Sequence, residues 1–163
     1  MTSRRTGAGV RDRTPAVAVR RATARDARRL TRLVRTSRAY EGPYAPMVAG
    51  YRVGPDYIEA HQVFVAAAAD GRVLGFYALL LDPPELDLMF VADDAQGLGI
   101  GRLLIGHMRE RAEAAGIDSV RVVSHPPAEG FYRGMGAVRT GTEAARPPAV
   151  MWDRPDLVIP VGR

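Results

Sequence analysis

A chain of 163 residues, 47% hydrophobic, is long enough for one domain with its own core and too short for two large ones. It contains no cysteine, which removes a disulfide framework, a thiolate metal site and any cysteine acyl-enzyme, and no metal site is expected. The net charge of +5 rests on arginine alone, because none of the 23 basic residues is lysine, and a P-loop, which needs a lysine after its last glycine, is excluded with it.

Residues 1–14 show no periodicity and are expected to form a disordered basic arm, leaving 15–163 as a single domain. The arm lacks the apolar core of a signal peptide, and no run of about 18 apolar residues follows, so the expectation is a cytoplasmic protein with no membrane partner. A strand is predicted over 16–20. A helix over 23–40 follows, entered through Thr23-Ala24-Arg25-Asp26 and broken by Glu41-Gly42-Pro43-Tyr44-Ala45-Pro46. In it Arg28, Arg29, Arg32 and Arg35 interleave with Leu30, Leu33 and Val34 as a solvated face, and no aromatics alternate with the arginines, which argues against nucleic acid as a partner. The basic balance instead favours long-range attraction of an anionic ligand.

Gly54-Pro55-Asp56 opens a short helix to His61. Residues 63–68 and 73–80 form a hairpin around Asp70-Gly71, with Gly75 as a bulge. After Pro83-Pro84 a strand spans 85–91, in which Leu86, Leu88 and Phe90 alternate with Asp87 and Met89. The pattern then changes to helical spacing: Leu104, Met108, Ala112 and Ala115 share one face and Gly116 stops the helix. A strand over 120–123, a short helix around Phe131 and strands near 137–142 and 150–152 complete the chain. Helices interrupting a mostly antiparallel sheet give an α+β class: a mixed, twisted sheet of about seven strands flanked by about four helices.

Between the strand ending at Val91 and the helix beginning near Ile100 lies Ala92-Asp93-Asp94-Ala95-Gln96-Gly97-Leu98-Gly99-Ile100-Gly101-Arg102. Glycines at a helix N-terminus let an anion approach unpaired backbone N–H groups and the positive end of the helix dipole, and Arg102 adds a charge at the mouth. A dinucleotide fingerprint fits poorly, since Arg102 occupies its third glycine position counted from Gly97 and Gly99.

What remains, Gln96-x-x-Gly99-x-Gly101, resembles the acyl-coenzyme A pyrophosphate loop of the GNAT superfamily of N-acetyltransferases. A second segment, Ala128-Glu129-Gly130-Phe131-Tyr132-Arg133-Gly134-Met135-Gly136-Ala137, resembles a later segment of the same superfamily and follows in the expected order. The residue after Gly136 is Ala137, where the family carries an aromatic, and His125 stands where the family often has asparagine. The element order β-α-α-β-β-β-α-β-α-β-β also matches the GNAT fold.

The resemblance implies acetyl-CoA as acyl donor and a primary amine of a small molecule as acceptor, by direct attack in a ternary complex. A protein or peptide amine, or a non-catalytic acyl-CoA-sensing module, is the alternative, and a homodimer is compatible with either. It implies Tyr132 as the acid that protonates the leaving thiolate and Glu85, a carboxylate on the strand before the loop, as general base. Cofactor-binding positions are then Met89, Phe90, Val91, Gln96, Gly97, Leu98, Gly99, Ile100, Gly101, Arg102, His125, Ala128 and Tyr132, with a main-chain donor near Met89 or Phe90 polarising the thioester carbonyl. Acceptor-binding positions are Tyr40, Glu41, Tyr44 and Asp87, with Met47, Tyr51, Tyr57 and Trp152 as further wall residues.

Overall fold

In the computed structural model, residues 16–162 are described; the arm expected over 1–14 lies outside them. Seven strands build one mixed sheet: β1 (Val17–Arg21), β2 (Gln62–Ala68), β3 (Val73–Leu81), β4 (Pro84–Val91), β5 (Ser119–Val123), β6 (Val138–Glu143) and β7 (Arg154–Pro160). Their spatial order is β1-β2-β3-β4-β5-β7-β6, and every neighbouring pair is antiparallel except β4 with β5. The α-helices are α1 (Ala27–Arg35), α2 (Pro55–Ala60), α3 (Ile100–Ala114) and α4 (Glu129–Gly134), in the chain order expected from the sequence. No helix among the described residues is long and apolar enough to cross a membrane.

The first helix is shorter than its sequence pattern. A 3-10 turn at Ala24–Asp26 is closed by a capping box, with Asp26 accepting from Thr23 N at 2.8 Å and pairing with Arg20 at 2.9 Å. The helix then stops at Arg35, because Thr36 Oγ1 donates back to Arg32 O at 2.8 Å and Ser37 turns extended, its side chain accepting from Ala39 N to start a second 3-10 turn, Arg38–Tyr40. A third, Gly42–Met47, carries Pro43 and Pro46. The expected helix over 23–40 is therefore a segmented path that brings Tyr40 back over the sheet.

Two cores lie on opposite faces. Leu104, Ile105, Met108 and Ala112 of α3, with Tyr132 of α4, pack on Tyr77, Leu79, Leu86, Val120, Val122, Leu157 and Ile159. Leu30 and Val34 of α1, with Ile58 of α2, pack on Val63, Val65, Phe76, Ala78 and Phe90. Ala115, expected on the buried face of α3, is exposed, and Ile105 is buried instead.

Two register shifts depart from simple alternation. In the hairpin, Ala66 pairs with Gly75 and Ala67 with Val73, so the extra residue is Leu74 and not Gly75. In β4, Ala78 pairs with Leu88 and Leu79 with Leu86, leaving Asp87 as the extra residue. The bulge sends Leu86 into the α3 core and Leu88 and Phe90 toward α1, so the continuous Leu86, Leu88, Phe90 face expected from sequence does not form. The last strand also starts later than expected: 150–152 contributes only an isolated bridge, Arg146 with Val150, and β7 begins at Arg154.

Gly75 has a different duty. A Cβ there would stand 2.7 Å from Phe90 O, 3.2 Å from Ile100 Cγ2 and 3.3 Å from Leu104 Cδ1, so the glycine lets α3 close onto β3 and β4. Gly75→Ala is expected to lower stability by about 1–3 kcal/mol, since the backbone carbonyl cannot swing aside. Urea denaturation checks this, and an unchanged midpoint would mean that the contact is slack.

Candidate active site

β4 and β5 share one register position, Glu85 opposite Arg121. Beyond it they part, and Ser124 N turns to Pro155 O at 3.0 Å instead of to β4. Two cavities open in the wedge between them.

The larger, about 410 Å³, lies against the glycine loop. Gly97 and Gly99 have φ of 82° and 80°, a region that side chains disfavour, and the space where a Cβ would stand is open at both. The first backbone hydrogen bond of α3 runs from Leu103 N to Gly99 O at 3.0 Å, so among the described residues the N–H groups of Ile100, Gly101 and Arg102 have no backbone acceptor. Gln96 Nε2 donates to Val91 O at 3.2 Å and ties the loop to the end of β4. Gly101 admits the Phe131 ring, which a Cβ would meet at 2.9 Å. Of the cofactor positions expected from sequence, twelve line this cavity or its rim: Met89, Phe90, Val91, Gln96, Gly97, Gly99, Ile100, Gly101, Arg102, His125, Ala128 and Tyr132. Leu98 does not, and its side chain is half exposed.

The smaller cavity, about 230 Å³, reaches down the wedge on the α1 side. Tyr40, Met89, Phe90, His125, Ala128 and Tyr132 line both, so the two spaces meet there. Glu85 and Asp87 line the inner part with Tyr51, Met47 and Arg154. Among the positions expected at the acceptor, Tyr40 and Asp87 line it, Tyr44 stands behind His125, and Glu41 is exposed outside it.

An aromatic file walls the junction. Phe76 stacks on Phe90, Phe90 on Tyr40 at 5.4 Å and Tyr40 on His125 at 4.1 Å; Tyr44 meets the edges of both His125 and Trp152. His125 is 9% exposed and its Nε2 donates to Ala39 O at 3.2 Å, which fixes the proton on Nε2; burial holds its pKa below the usual imidazole value. It is a packed member of the wall and not a solvated loop histidine.

Burial pushes the Tyr132 phenol up, so it keeps its proton far above neutrality, and its hydroxyl has no hydrogen-bond partner among the described residues. The Tyr40 phenol is likewise pushed up to about 12, mainly by burial. Glu85 is raised above the ordinary carboxylate range, first by burial and then by neighbouring Asp87. Asp87 accepts a short hydrogen bond from Tyr57 Oη, and burial together with that bond raises the Tyr57 phenol. A partly buried carboxylate with a raised pKa, a protonated tyrosine and a glycine-rich helix N-terminus thus converge on one cleft. Sequence reasoning missed Arg154, because it placed the last strand too early; the alternation of Pro155, Leu157 and Ile159 with Asp156 and Val158 carries the correct register.

The fold is similar to solved acetyltransferase structures. A GCN5-related N-acetyltransferase from Rhodopseudomonas palustris superposes with a TM-score of 0.76 at 19% identity, covering 91% of this chain and 96% of that one. The IAA acetyltransferase from Bacillus cereus gives 0.65 at 21%, covering 90% and 100%. A chimeric spermidine N-acetyltransferase from Vibrio cholerae and hSSAT gives 0.67 at 18%, covering 88% and 95%. No curated protein matches the sequence. Residues 51–147, more than half of the chain, match the family model of the acetyltransferase (GNAT) domain, and the chain belongs to this family of acyltransferases.

Proposed function

We propose that the chain moves the acetyl group of acetyl-CoA directly to the primary amine of a small molecule, with residues 15–163 acting as one domain. The observation that carries this reading is the meeting of two cavities at Tyr132, one against the glycine loop and one holding Glu85.

The residues fit the cofactor that the family uses. Open glycine positions and free N–H groups at the start of α3 suit a pyrophosphate, with Arg102 at the mouth. Met89, Phe90 and Val91 offer the parted edge of β4 to the pantetheine arm. Bound there, acetyl-CoA supplies an acyl thioester. Glu85 takes the proton that an ammonium must lose before it is a nucleophile, and its raised pKa makes it a stronger base than an exposed carboxylate. Tyr132 holds its proton at Oη, at the junction of the cavities, ready for a departing thiolate. The small volume of the inner cavity supports a small acceptor over a polypeptide.

Thiol release from acetyl-CoA, with and without a panel of small amines and basic peptides, tests the whole reading. Amine-dependent release is the expected outcome, and cofactor binding without release under any acceptor would turn the reading toward a sensor.

Three variants test the parts. Gly99→Ala is expected to strain the loop by about 1–2 kcal/mol and to weaken coenzyme A binding in calorimetry; wild-type affinity would remove the loop from the pyrophosphate. Tyr132→Phe should lower kcat at least tenfold with cofactor affinity nearly kept, and an unchanged rate would end its acid role. The third concerns pH. The base works deprotonated, so the rate should rise with pH through a midpoint above the ordinary glutamate value of about 4.3. Glu85→Gln should abolish that limb, and a limb surviving in the variant would assign it to another group.

A further inference from the structure

On the α1 side, the strand residues of the apolar core come from β2, β3 and β4, and the face of β5, β7 and β6 beyond it carries charge. Most of that charge is internally matched. Arg121 grips Asp156 with two hydrogen bonds, 3.0 and 2.9 Å, and reaches Glu143 at 3.1 Å; Arg146 also binds Glu143, at 3.0 Å. Asp87 is engaged by Tyr57. Glu85 and Arg154, by contrast, form no side-chain hydrogen bond or ion pair among the described residues, and both line the inner cavity.

Arg154 opens β7 opposite Glu143, just past the point where β5 has ended. Among the described residues it forms no ion pair, and its Nε is buried without an acceptor. A guanidinium is strongly charged at any working pH, and a buried donor of that kind is poorly stable without a partner. The cavity therefore contains a guanidinium with no ion pair among the described residues, beside Glu85 and Asp87, and Val34, Tyr40, Tyr51, Leu88 and Phe90 form an apolar and aromatic part of its wall.

Resting on the acetyl-transfer reading above, we propose that the acceptor is a free amino acid or close analogue, whose carboxylate is held by the Arg154 fork while its amine lies toward Glu85. A planar guanidinium matches a carboxylate with two parallel hydrogen bonds, which a simple amine or a carboxamide does not provide. The acceptor's anion then supplies the ion pair that the Arg154 guanidinium lacks among the described residues, and its side chain faces the aromatic wall. Arg154 is a specificity residue here; it carries no proton in the reaction.

The test uses α-, β- and γ-amino acids, the C-terminal amide of each, and simple alkylamines as acceptors in the thiol-release assay. Acids should exceed their amides by tenfold or more in kcat/KM, chiefly through KM. Arg154→Gln should erase that ratio, bringing kcat/KM for acids down to that for their amides, and Arg154→Lys, which keeps charge but loses the fork, should fall between. Amides or alkylamines used as well as acids by the unaltered protein, or a preference for acids surviving in Arg154→Gln, overturns the assignment while acetyl transfer itself stands. If no amine releases thiol, the transfer reading fails separately, and calorimetry with N-acetyl amino acids in the presence of coenzyme A decides this one: binding that Arg154→Gln abolishes sustains it, and no binding of any carboxylate overturns it.

Discussion

A single rung joins β4 to β5, and the divergence that begins there makes room for everything else in the cleft. Parallel neighbours require a crossover, here α3, and a crossover helix starts at the carboxyl end of the strand it leaves. Its uncapped N–H groups therefore stand beside the opening between the strands, at the kind of position where open sheets bind ligands. The backbone groups on the parted edges are the cost of this arrangement, since ladder bonds that would have satisfied them are missing. Gly75 supports it from beneath by letting α3 lie close against β3 and β4.

The bulge at Asp87 decides what enters the opening. By adding one residue it directs Leu86 toward α3 while Leu88 and Phe90 face α1, and the aromatic file from Phe76 to Tyr44 is then built on Phe90. Asp87 itself, tied to Tyr57, remains close enough to Glu85 to raise it. Apolar packing and charge thus divide one sheet face between them: hydrophobic under α1 and α2, ionic where no helix covers it.

Periodicity and turn chemistry made most of this legible. The hairpin at Asp70-Gly71, the helix stopped at Gly116 and the strand around Val122 follow from local signals that tertiary structure does not contradict. The glycine loop was readable because its residues are contiguous. The inner cavity was not, because it is assembled from residues distant in the chain, and two of its features hide from pattern reading. A bulge leaves no mark in an alternating run such as Leu86 to Phe90. The last strand begins with Arg154-Pro155, whose proline obscures a strand start, whereas the apolar run ending at Trp152 resembles one without pairing as one. The segmented path after Arg35 depends on two side-chain hydrogen bonds, Thr36 to Arg32 and Ala39 to Ser37, which compete with helix continuation and escape a hydrophobic count.

The insertion of β7 between β5 and β6 has a bearing on how the chain acquires its shape during synthesis. β6 emerges first yet pairs with β7 alone, so it has no place on the sheet until β7 has docked on the open edge of β5. Long-range pairing of this kind is slow relative to local contacts. The ionic cluster of Arg121, Asp156 and Glu143 spans β5, β7 and β6 and closes in the same event, which also delivers Arg154 to the cavity. A nascent chain stalled before β7 would carry the glycine loop, the wedge and Glu85, yet offer an unfinished acceptor site beside an unpaired strand edge. The strand that completes that half of the sheet is the one that carries Arg154 to the pocket.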